Sequence, residues 1–247
     1  MHETILWDIG GITLHAKTLI MTWIVMLIVF VFCMLCVRKL TAGKPGKMQN
    51  VLEWVVDFVK GLINENMSYE KGRPLLAYLC TLILFVFFSN IIGLIPNFTF
   101  GLFNHVEFLK LGEIFHGPTL QSPTADINAT LALAILSIIL VVGSGIKYGG
   151  KHYFAHFTTP NPIFIPVHAI DLVAKPMSLA FRLFGNVFAG EVLISIILML
   201  PGIWVLGGAL PLLVWLGFST FIGALQAFVF TVLTIAYVGQ AVESAEH

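Results

Sequence analysis

Four ionisable residues lie close together in an otherwise apolar stretch in the last third of the chain. They are Asp171, Lys175, Arg182 and Glu191. Ionisable side chains are costly inside a membrane span, so each of them marks a candidate ion or substrate pathway. Because successive residues of a helix turn by about 100°, Arg182 belongs to one polar stripe, and Glu191 lies about half a turn away from it. The stripe consists of Asp171, Lys175, Ser178, Arg182 and Asn186.

Arg182 has no evident partner on its own helix. Its guanidinium is a permanent positive charge, because arginine keeps its proton at any accessible pH. Asp171 and Lys175 are four residues apart and can neutralise each other. Glu191 faces away, so we predict that the partner of Arg182 is a carboxylate on a neighbouring subunit. The alternative is an arginine that reaches water or binds backbone carbonyls.

A second apolar leg follows this stretch, after glycine- and proline-rich turn signals around residue 204. If the two legs form an antiparallel hairpin, Arg182 lies at the same depth as Gln226. Glu191 then lies at the depth of residues Gly217 to Ser219. The polar residues of the second leg share one helical face: Ser219, Gly223, Gln226 and Tyr237. The sequence therefore predicts an amide at the depth of the cation and a hydroxyl at the depth of the carboxylate.

Other polar residues in apolar surroundings are Asn90, Asp126, Asn128 and His168. Asp126 and Asn128 immediately precede the third apolar stretch, where either can cap a helix N-terminus. Their position also suits an acidic vestibule that concentrates cations. The three cysteines lie in apolar runs, and the histidines follow no ligand pattern, so we predict no metal site and no cofactor.

The composition indicates an integral membrane protein. Hydrophobic residues make up 58% of the 247 residues and charged residues only 11%, whereas a soluble domain carries about 25% charged residues. The formal net charge is zero, which argues against a nucleic-acid partner. Five stretches are long enough to cross a bilayer, which takes about 20 helical residues. They are Thr18–Val37, Pro74–Val106 (its helix ending near Pro96), Ile127–Ile146, about Ile163–Leu200 and about Pro211–Gln240.

We therefore predict an all-α, polytopic membrane protein with about five crossings and a long, tilted helical hairpin near the C-terminus. The first leg of the hairpin spans 38 residues, so it must tilt strongly, kink at Pro176 or lie partly along the interface. Gln49–Asn64 carries its apolar residues on one face and predicts an amphipathic helix. That helix lies either in the headgroup plane or against a partner.

The chain is predicted to form a single membrane domain. Its three parts are an outer N-terminal segment (1–17), peripheral spans with the interfacial helix (18–160), and the long hairpin with the ion-translocation site (161–247). Basic residues concentrate in the 38–74 and 147–160 connections. Positive charge stays on the cytoplasmic side, so we predict an outside N-terminus and a cytoplasmic C-terminus.

Three motifs resemble the F-type ATP synthase subunit a family. Lys175–Glu191 reads KPMSLAFRLFGNVFAGE and resembles the signature segment of that family, and Leu225–Tyr237 reads LQAFVFTVLTIAY and resembles its last helix. Ser122–Asn128, which reads SPTADIN, is similar to the family motif before the third span, and Asn90 with Pro96 suits its second span.

This resemblance implies an ion-conducting stator subunit of a rotary ATP synthase. Such a subunit is not itself catalytic, and it passes H⁺ or Na⁺ through two offset aqueous half-channels to and from the c-ring. Arg182 would be the stator arginine that faces a carboxylate on each passing c-ring subunit. The predicted ion pathway consists of Glu191, Asn186, Gln226, Ser219, Asp126, Asn128, Asn90 and Tyr237.

Ser219 departs from the pattern of some family members, which have a histidine there, and this weakens a histidine relay at that position. The implied partners are c-ring subunits, peripheral-stalk b subunits, the rest of the complex and membrane lipid. The implied location is a bacterial cell inner membrane, and the coupling ion stays open. The alternative is a secondary ion transporter or self-contained channel, which would show paired ionisable residues or internal repeats.

Overall fold

Helices account for almost all of the residues that the computed structural model describes. These residues are 6–9, 12–38, 40–41, 43, 45–94, 121–150, 165–198 and 209–243. The α-helices among them are α1 (Ala16–Val37), α2 (Lys47–Asn66), α3 (Tyr69–Gly72), α4 (Leu76–Ile92), α5 (Ile127–Gly149), α6 (Ile165–Leu198) and α7 (Ala209–Glu243). Two 3₁₀ turns, Arg73–Leu75 and Pro123–Ala125, lead into α4 and α5.

Five helical segments of the described chain are long and apolar enough to cross a membrane. They are Ala16–Val37, Tyr69–Ile92, Ile127–Gly149, Ile170–Ile194 and Leu210–Glu243. The prediction of an all-α membrane protein with five crossings is confirmed. The predicted helix end at Pro96 and the turn between α6 and α7 lie outside the described residues.

A short antiparallel hairpin precedes α1 and was not predicted. Its strands are β1 (Leu6–Ile9) and β2 (Ile12–His15), paired from Leu6 with His15 to Ile9 with Ile12. The sequence between the strands is Gly-Gly, a pair typical of two-residue hairpin turns. The hairpin leads directly into α1, so its last residue, His15, lies at the helix entrance.

The main core lies where α2 meets α4, α5, α6 and α7. Its fully buried side chains include Val59, Ile63, Leu79, Val86, Ala134, Leu179, Leu183, Phe230 and Ile235. The helix α1 packs at the side of this bundle, through a second cluster in which Met21 and Val25 contact Leu84 and Ile92 of α4. Much of α1 therefore stays at the outer surface, as the exposed Leu27 and Phe30 show.

The helix α6 runs through Pro176 without ending there. Its 34 residues correspond to about 51 Å of helix, well beyond the apolar thickness of a bilayer, which is about 30 Å. Both α6 and the 35-residue α7 therefore have enough length to tilt or to extend past the apolar layer.

The helix α2 divides its apolar face between two environments. Val59 and Ile63, in its second half, are buried in the main core. Val51 and Trp54, in its first half, are exposed by 46% and 69%. The predicted amphipathic helix is therefore present, and its second half packs on the chain's own spans.

Candidate functional site

A cavity that contains several polar side chains lies between α4, α6 and α7. Its volume is about 80 Å³, which is enough for water molecules. Four residues of the predicted ion pathway line it: Asn90, Asn186, Glu191 and Ser219. Three glycines, Gly93, Gly190 and Gly223, also line it, and at these positions no side chain enters the space between the helices.

Glu191 connects α6 to the segment that precedes α5. One of its carboxylate oxygens, Oε1, accepts the backbone N–H of Ser122 at 2.9 Å. The Gln121 side chain also hydrogen-bonds Glu191, and Lys17 of α1 interacts with it electrostatically. This half-buried carboxylate thus has a polar surrounding built by three elements, and it opens on the cavity.

Gly93 makes the approach of Ser122 and Glu191 to α4 possible. A β-carbon at position 93 would lie 2.7 Å from Cβ of Ser122 and 3.0 Å from Oε1 of Glu191. Distances this short cannot be kept without movement of one of the groups. A side chain at this position would therefore separate α4 from the Glu191 site.

Asn90 joins three elements at the inner wall of the cavity. It is 3% exposed; its Nδ2 donates to the carbonyl of Gly223 at 2.9 Å. Its Oδ1 accepts from Thr124 Oγ1 at 3.1 Å. Ser122 Oγ donates to the carbonyl of Ser89 at 2.7 Å. These bonds fix the Pro123–Ala125 turn against α4 and α7, so Asn90 organises the cavity as well as lining it.

Arg182 lies about half a turn around α6 from Glu191 and is not among the residues that line this cavity. The inward face of α6 is formed by Leu179, Leu183 and Val187, all buried, whereas Arg182 is exposed. Among the residues that the structure describes, Arg182 has no hydrogen-bond or ion-pair partner. Gly185, one turn further along the same side, has open space where a side chain would be. The arginine is therefore presented to the outside of the bundle, half a turn from Glu191 as predicted.

Lys175 contacts α7 instead of forming the expected pair with Asp171. Its Nζ donates to Oε1 of Gln240 at 3.4 Å and lies 5.0 Å from the ring centroid of Tyr237, both on α7. No Asp171–Lys175 ion pair occurs in the described chain. An exposed pair of this spacing contributes only about 0.2–0.5 kcal/mol, and a cation–π contact about 0.5–1 kcal/mol. The neighbouring helix therefore offers the lysine the better environment.

Two contacts set the register between α6 and α7. Lys175 lies beside Gln240 and Tyr237, and Trp215 Nε1 donates to the carbonyl of Gly190 at 3.4 Å. Interpolation between them puts Arg182 within about one helical turn of the level of Gln226, in agreement with the predicted register.

Gln226 is the buried amide of α7 at this level. It is 6% exposed, and its Nε2 has no hydrogen-bond partner among the described residues. A buried donor without a partner is destabilising by about 1–3 kcal/mol. A polar group kept in the core under this penalty is a candidate for a functional role.

Asp126 caps the N-terminus of α5. This is one of the two roles that the sequence allows for it, the other being a place in an acidic vestibule. Its Oδ1 accepts the backbone N–H of Asn128 at 2.9 Å. Its Oδ2 accepts from Thr18 Oγ1 at 2.8 Å and lies 3.8 Å from Nδ1 of His15. The carboxylate thus ties the start of α5 to the start of α1. The side chain of Asn128 is exposed, and neither residue lines the cavity.

Several residues of this site were not predicted from the sequence. They are His15, Lys17, Thr18, Gln121, Ser122, Thr124 and Trp215. Lys17 offered a signal, because it is a cation at the beginning of an apolar helix. The others are neutral or exposed residues whose roles depend on which helices are neighbours.

Comparison with known proteins gives a consistent result. Residues 19–239 match the family described as ATP synthase A chain. The chain is 38% identical over 245 residues to ATP synthase subunit a of Desulforamulus reducens, an alignment that covers 98% of this chain and 85% of the relative. It is 40% identical to ATP synthase subunit a of Oceanobacillus iheyensis, over 97% of this chain and 95% of the relative. It is 38% identical to that of Priestia megaterium, over 98% of both chains.

Proposed function

Because this chain belongs to the ATP synthase A chain family, whose members are membrane-sector subunits of F-type ATP synthase, we propose that it conducts H⁺ or Na⁺ to and from a rotating ring of carboxylate-bearing subunits. The chain is an integral bacterial membrane protein, and its partner is the rest of the ATP synthase complex. The ring contact, the half-channels and the orientation of the termini belong to the proposal.

The observation that carries this proposal is the position of Arg182. A permanent cation that faces outward from a membrane span is costly unless a partner neutralises it. The described chain supplies no such partner for Arg182. A carboxylate on a neighbouring subunit would satisfy the arginine, and a fixed positive charge would favour the ionised form of that carboxylate. An arriving ring carboxylate would therefore release its cation beside Arg182.

The cavity at Glu191 is the proposed outer half-channel. The polar side chains in its lining and its space for water suit a path by which cations reach the ring. Asp126 would act upstream of it, at the entrance formed with Thr18. Because Glu191 and Arg182 lie on opposite sides of α6, an ion can be held near Glu191 without direct contact with the arginine.

A second, inner half-channel would serve the exit of the ion. Gln226, whose amide nitrogen has no partner among the described residues and lies near the level of Arg182, is the candidate for the boundary between the two paths. Tyr237, whose ring lies beneath the Lys175 ammonium, would border the inner path. In this arrangement Arg182 repels cations that would otherwise pass directly from one path to the other.

An apolar surface beside Arg182 supports the ring contact. Phe181 and Phe188 of α6 and Phe221 of α7 are exposed by 49%, 48% and 62%. A ring of apolar helices can pack on such a surface, and the small residues near Arg182, including Gly185, allow close approach. The peripheral-stalk b subunits are proposed to bind elsewhere on the bundle, apart from this contact.

Replacement of Arg182 tests this function. We expect Arg182→Ala to abolish ion pumping driven by ATP hydrolysis in membrane vesicles, because the ring carboxylate then loses the charge that favours its ionised form. Arg182→Lys keeps the charge but loses the planar guanidinium, so we expect pumping far below the wild-type rate. Ser178→Ala, on the same exposed side of α6, is the matched control and should pump normally.

Two results would contradict the proposal. Coupled pumping at the wild-type rate in Arg182→Ala would remove the role of the arginine. Ion flux through vesicles that contain only the purified chain, without ring subunits, would instead support a self-contained channel or transporter.

A further inference from the structure

A second cavity lies at the other end of α1, away from the Glu191 site. It has a volume of about 440 Å³ and is formed by the end of α1 and the beginning of α2. Its lining residues are Leu35, Cys36, Arg38, Gly46, Lys47, Met48 and Gln49. The ion pathway described above does not use any of these residues.

Charge and polarity divide this cavity into two parts. Arg38 and Lys47 supply two positive charges, and none of the described lining residues is acidic. Leu35, Cys36 and Met48 form an apolar part next to them. Such a combination fits a ligand that has a negatively charged group joined to an apolar chain.

Gln49 holds the polar side of the cavity in place. Its amide is only 6% exposed. Its Oε1 accepts the backbone N–H of Thr41 at 3.1 Å, and its Nε2 donates to the carbonyl of Thr41 at 3.1 Å and to Glu53 Oε1 at 2.7 Å. The amide of Gln49 is therefore occupied by hydrogen bonds within the chain. Arg38 and Lys47 are both exposed, so their charged groups can contact a ligand.

The position of the cavity also restricts the ligand. The helix α1 has 22 residues, all apolar except Lys17, Thr18 and Thr22, and its length of about 33 Å matches one crossing of a bilayer. Arg38 follows its last residue, so the cavity lies at the boundary between the apolar layer and the headgroups. Leu27, Val31 and Leu35 follow one another at helical spacing on α1 and are exposed by 60%, 45% and 51%. This exposed stripe leads from the apolar layer directly to the cavity.

We propose that this cavity, the α1–α2 cavity, binds an anionic phospholipid. The phosphate of the headgroup contacts Arg38 and Lys47, and one acyl chain lies along Leu27, Val31 and Leu35. Basic pockets between helices at the membrane surface are a known solution for anionic headgroups. A free phosphate ion would use the two basic residues but would leave the apolar stripe unused, so a lipid explains more of the surface.

Native mass spectrometry of the purified full-length chain, titrated with phosphatidylglycerol, tests this proposal. We expect one phosphatidylglycerol molecule to bind more tightly than phosphatidylcholine. Each basic contact near a membrane surface is worth about 1 kcal/mol, so Arg38→Gln/Lys47→Gln should weaken this binding by about thirtyfold. The matched control is Lys60→Gln/Arg73→Gln, which removes the same charges from the same connection of the chain but outside the cavity, and it should bind like the wild type.

Further arms separate a lipid from a free anion and from a folding defect. Leu35→Ser should weaken phosphatidylglycerol binding and leave the affinity for glycerol phosphate unchanged. Raising the salt concentration should weaken the phosphatidylglycerol complex of the wild-type chain, a measurement that needs no variant. Equal binding of phosphatidylcholine and phosphatidylglycerol, or unchanged binding in Arg38→Gln/Lys47→Gln, would overturn the proposal. Equal affinity for glycerol phosphate and the lipid would overturn the assignment to a lipid.

Discussion

At the level of single residues, two charged side chains of α6, Arg182 and Glu191, differ in what surrounds them. Glu191 accepts a backbone hydrogen bond from Ser122 and faces a cavity. Arg182 has no such partner in the described chain and is exposed. The chain itself therefore provides polar contacts for Glu191, whereas Arg182 is available to a partner molecule. This division depends on the close approach of Ser122 and Glu191 to α4, which the absence of a side chain at Gly93 allows.

Gly93→Ala is expected to disturb the Glu191 site through steric overlap alone. The added β-carbon would lie 2.7 Å from Cβ of Ser122, so the segment before α5 must move away from α4. Overpacking of this kind destabilises by about 1–3 kcal/mol. We expect a lower free energy of unfolding, measured by detergent titration followed by circular dichroism, and slower ATP-driven pumping, measured as ion uptake into vesicles.

Gly143→Ala is the matched control for this substitution. Position 143 lies in α5, and an added β-carbon there meets nothing within 4 Å. Alanine is the better helix former by about 1 kcal/mol, so stability should stay equal or rise slightly. If Gly93→Ala behaved like Gly143→Ala in both measurements, the close packing at Glu191 would not matter.

At the level of elements, Lys175 links α6 to α7. Its ammonium lies over the Tyr237 ring and bonds Gln240, so it joins the two long helices at the end opposite to Trp215. We expect Lys175→Met, which keeps the apolar stem, to lower the free energy of unfolding by about 0.5–1 kcal/mol. The detergent titration used for Gly93 also measures this change.

Asp171→Asn separates this explanation from a pair within α6. Asp171 has no ion-pair partner among the described residues, so its replacement should leave the free energy of unfolding unchanged. A loss equal to that of Lys175→Met would mean that Asp171 and Lys175 stabilise each other across one turn, and the tie to α7 would then be unsupported.

The long elements could be predicted from the sequence, and their contacts only in part. Apolar length gave the five spans, and helical phase gave the opposite orientations of Arg182 and Glu191, because both are properties of one helix. The contact between Glu191 and Ser122 could not be predicted, since no repeat reveals which loop faces a helix. The same reason explains why the sequence predicts a pairing of Lys175 with Asp171. The spacing along one helix shows that Asp171 is near, whereas the contact of Lys175 with Tyr237 depends on how α6 packs against α7. The β1–β2 hairpin was missed because its strands are only four residues long.

At the level of the whole molecule, the described bundle leaves two very different outer surfaces. The side of α6 and α7 near Arg182 combines an unpartnered cation with exposed aromatic residues such as Phe221. The side of α1 is exposed and apolar, with Leu27 and Phe30 among its largest residues. Arg182 on the first surface lies within a membrane span, where a charge requires a charged partner, whereas residues 27–35 of α1 include no charged residue. We therefore assign the ring to the α6–α7 side and lipid to the outer side of α1.

Site-directed crosslinking in the assembled complex tests this assignment. Cysteine is introduced at Gly185 on α6 or at Val31 on α1, in a chain whose native Cys33, Cys36 and Cys80 are replaced by serine. After reaction with benzophenone maleimide and illumination, Gly185→Cys should give a product with the mass of the chain plus one ring subunit. Val31→Cys, which is also exposed within a span, should give lipid adducts.

The two variants distinguish the surfaces because both positions are exposed within membrane spans and differ mainly in their distance from Arg182. A ring adduct from Val31→Cys together with none from Gly185→Cys would reverse the assignment, and Arg182 would then need a different partner. Arg182→Ala in the Gly185→Cys chain adds a further check. If packing of apolar helices holds the ring, the crosslink should persist while pumping is lost, because the arginine then serves ion transfer rather than assembly.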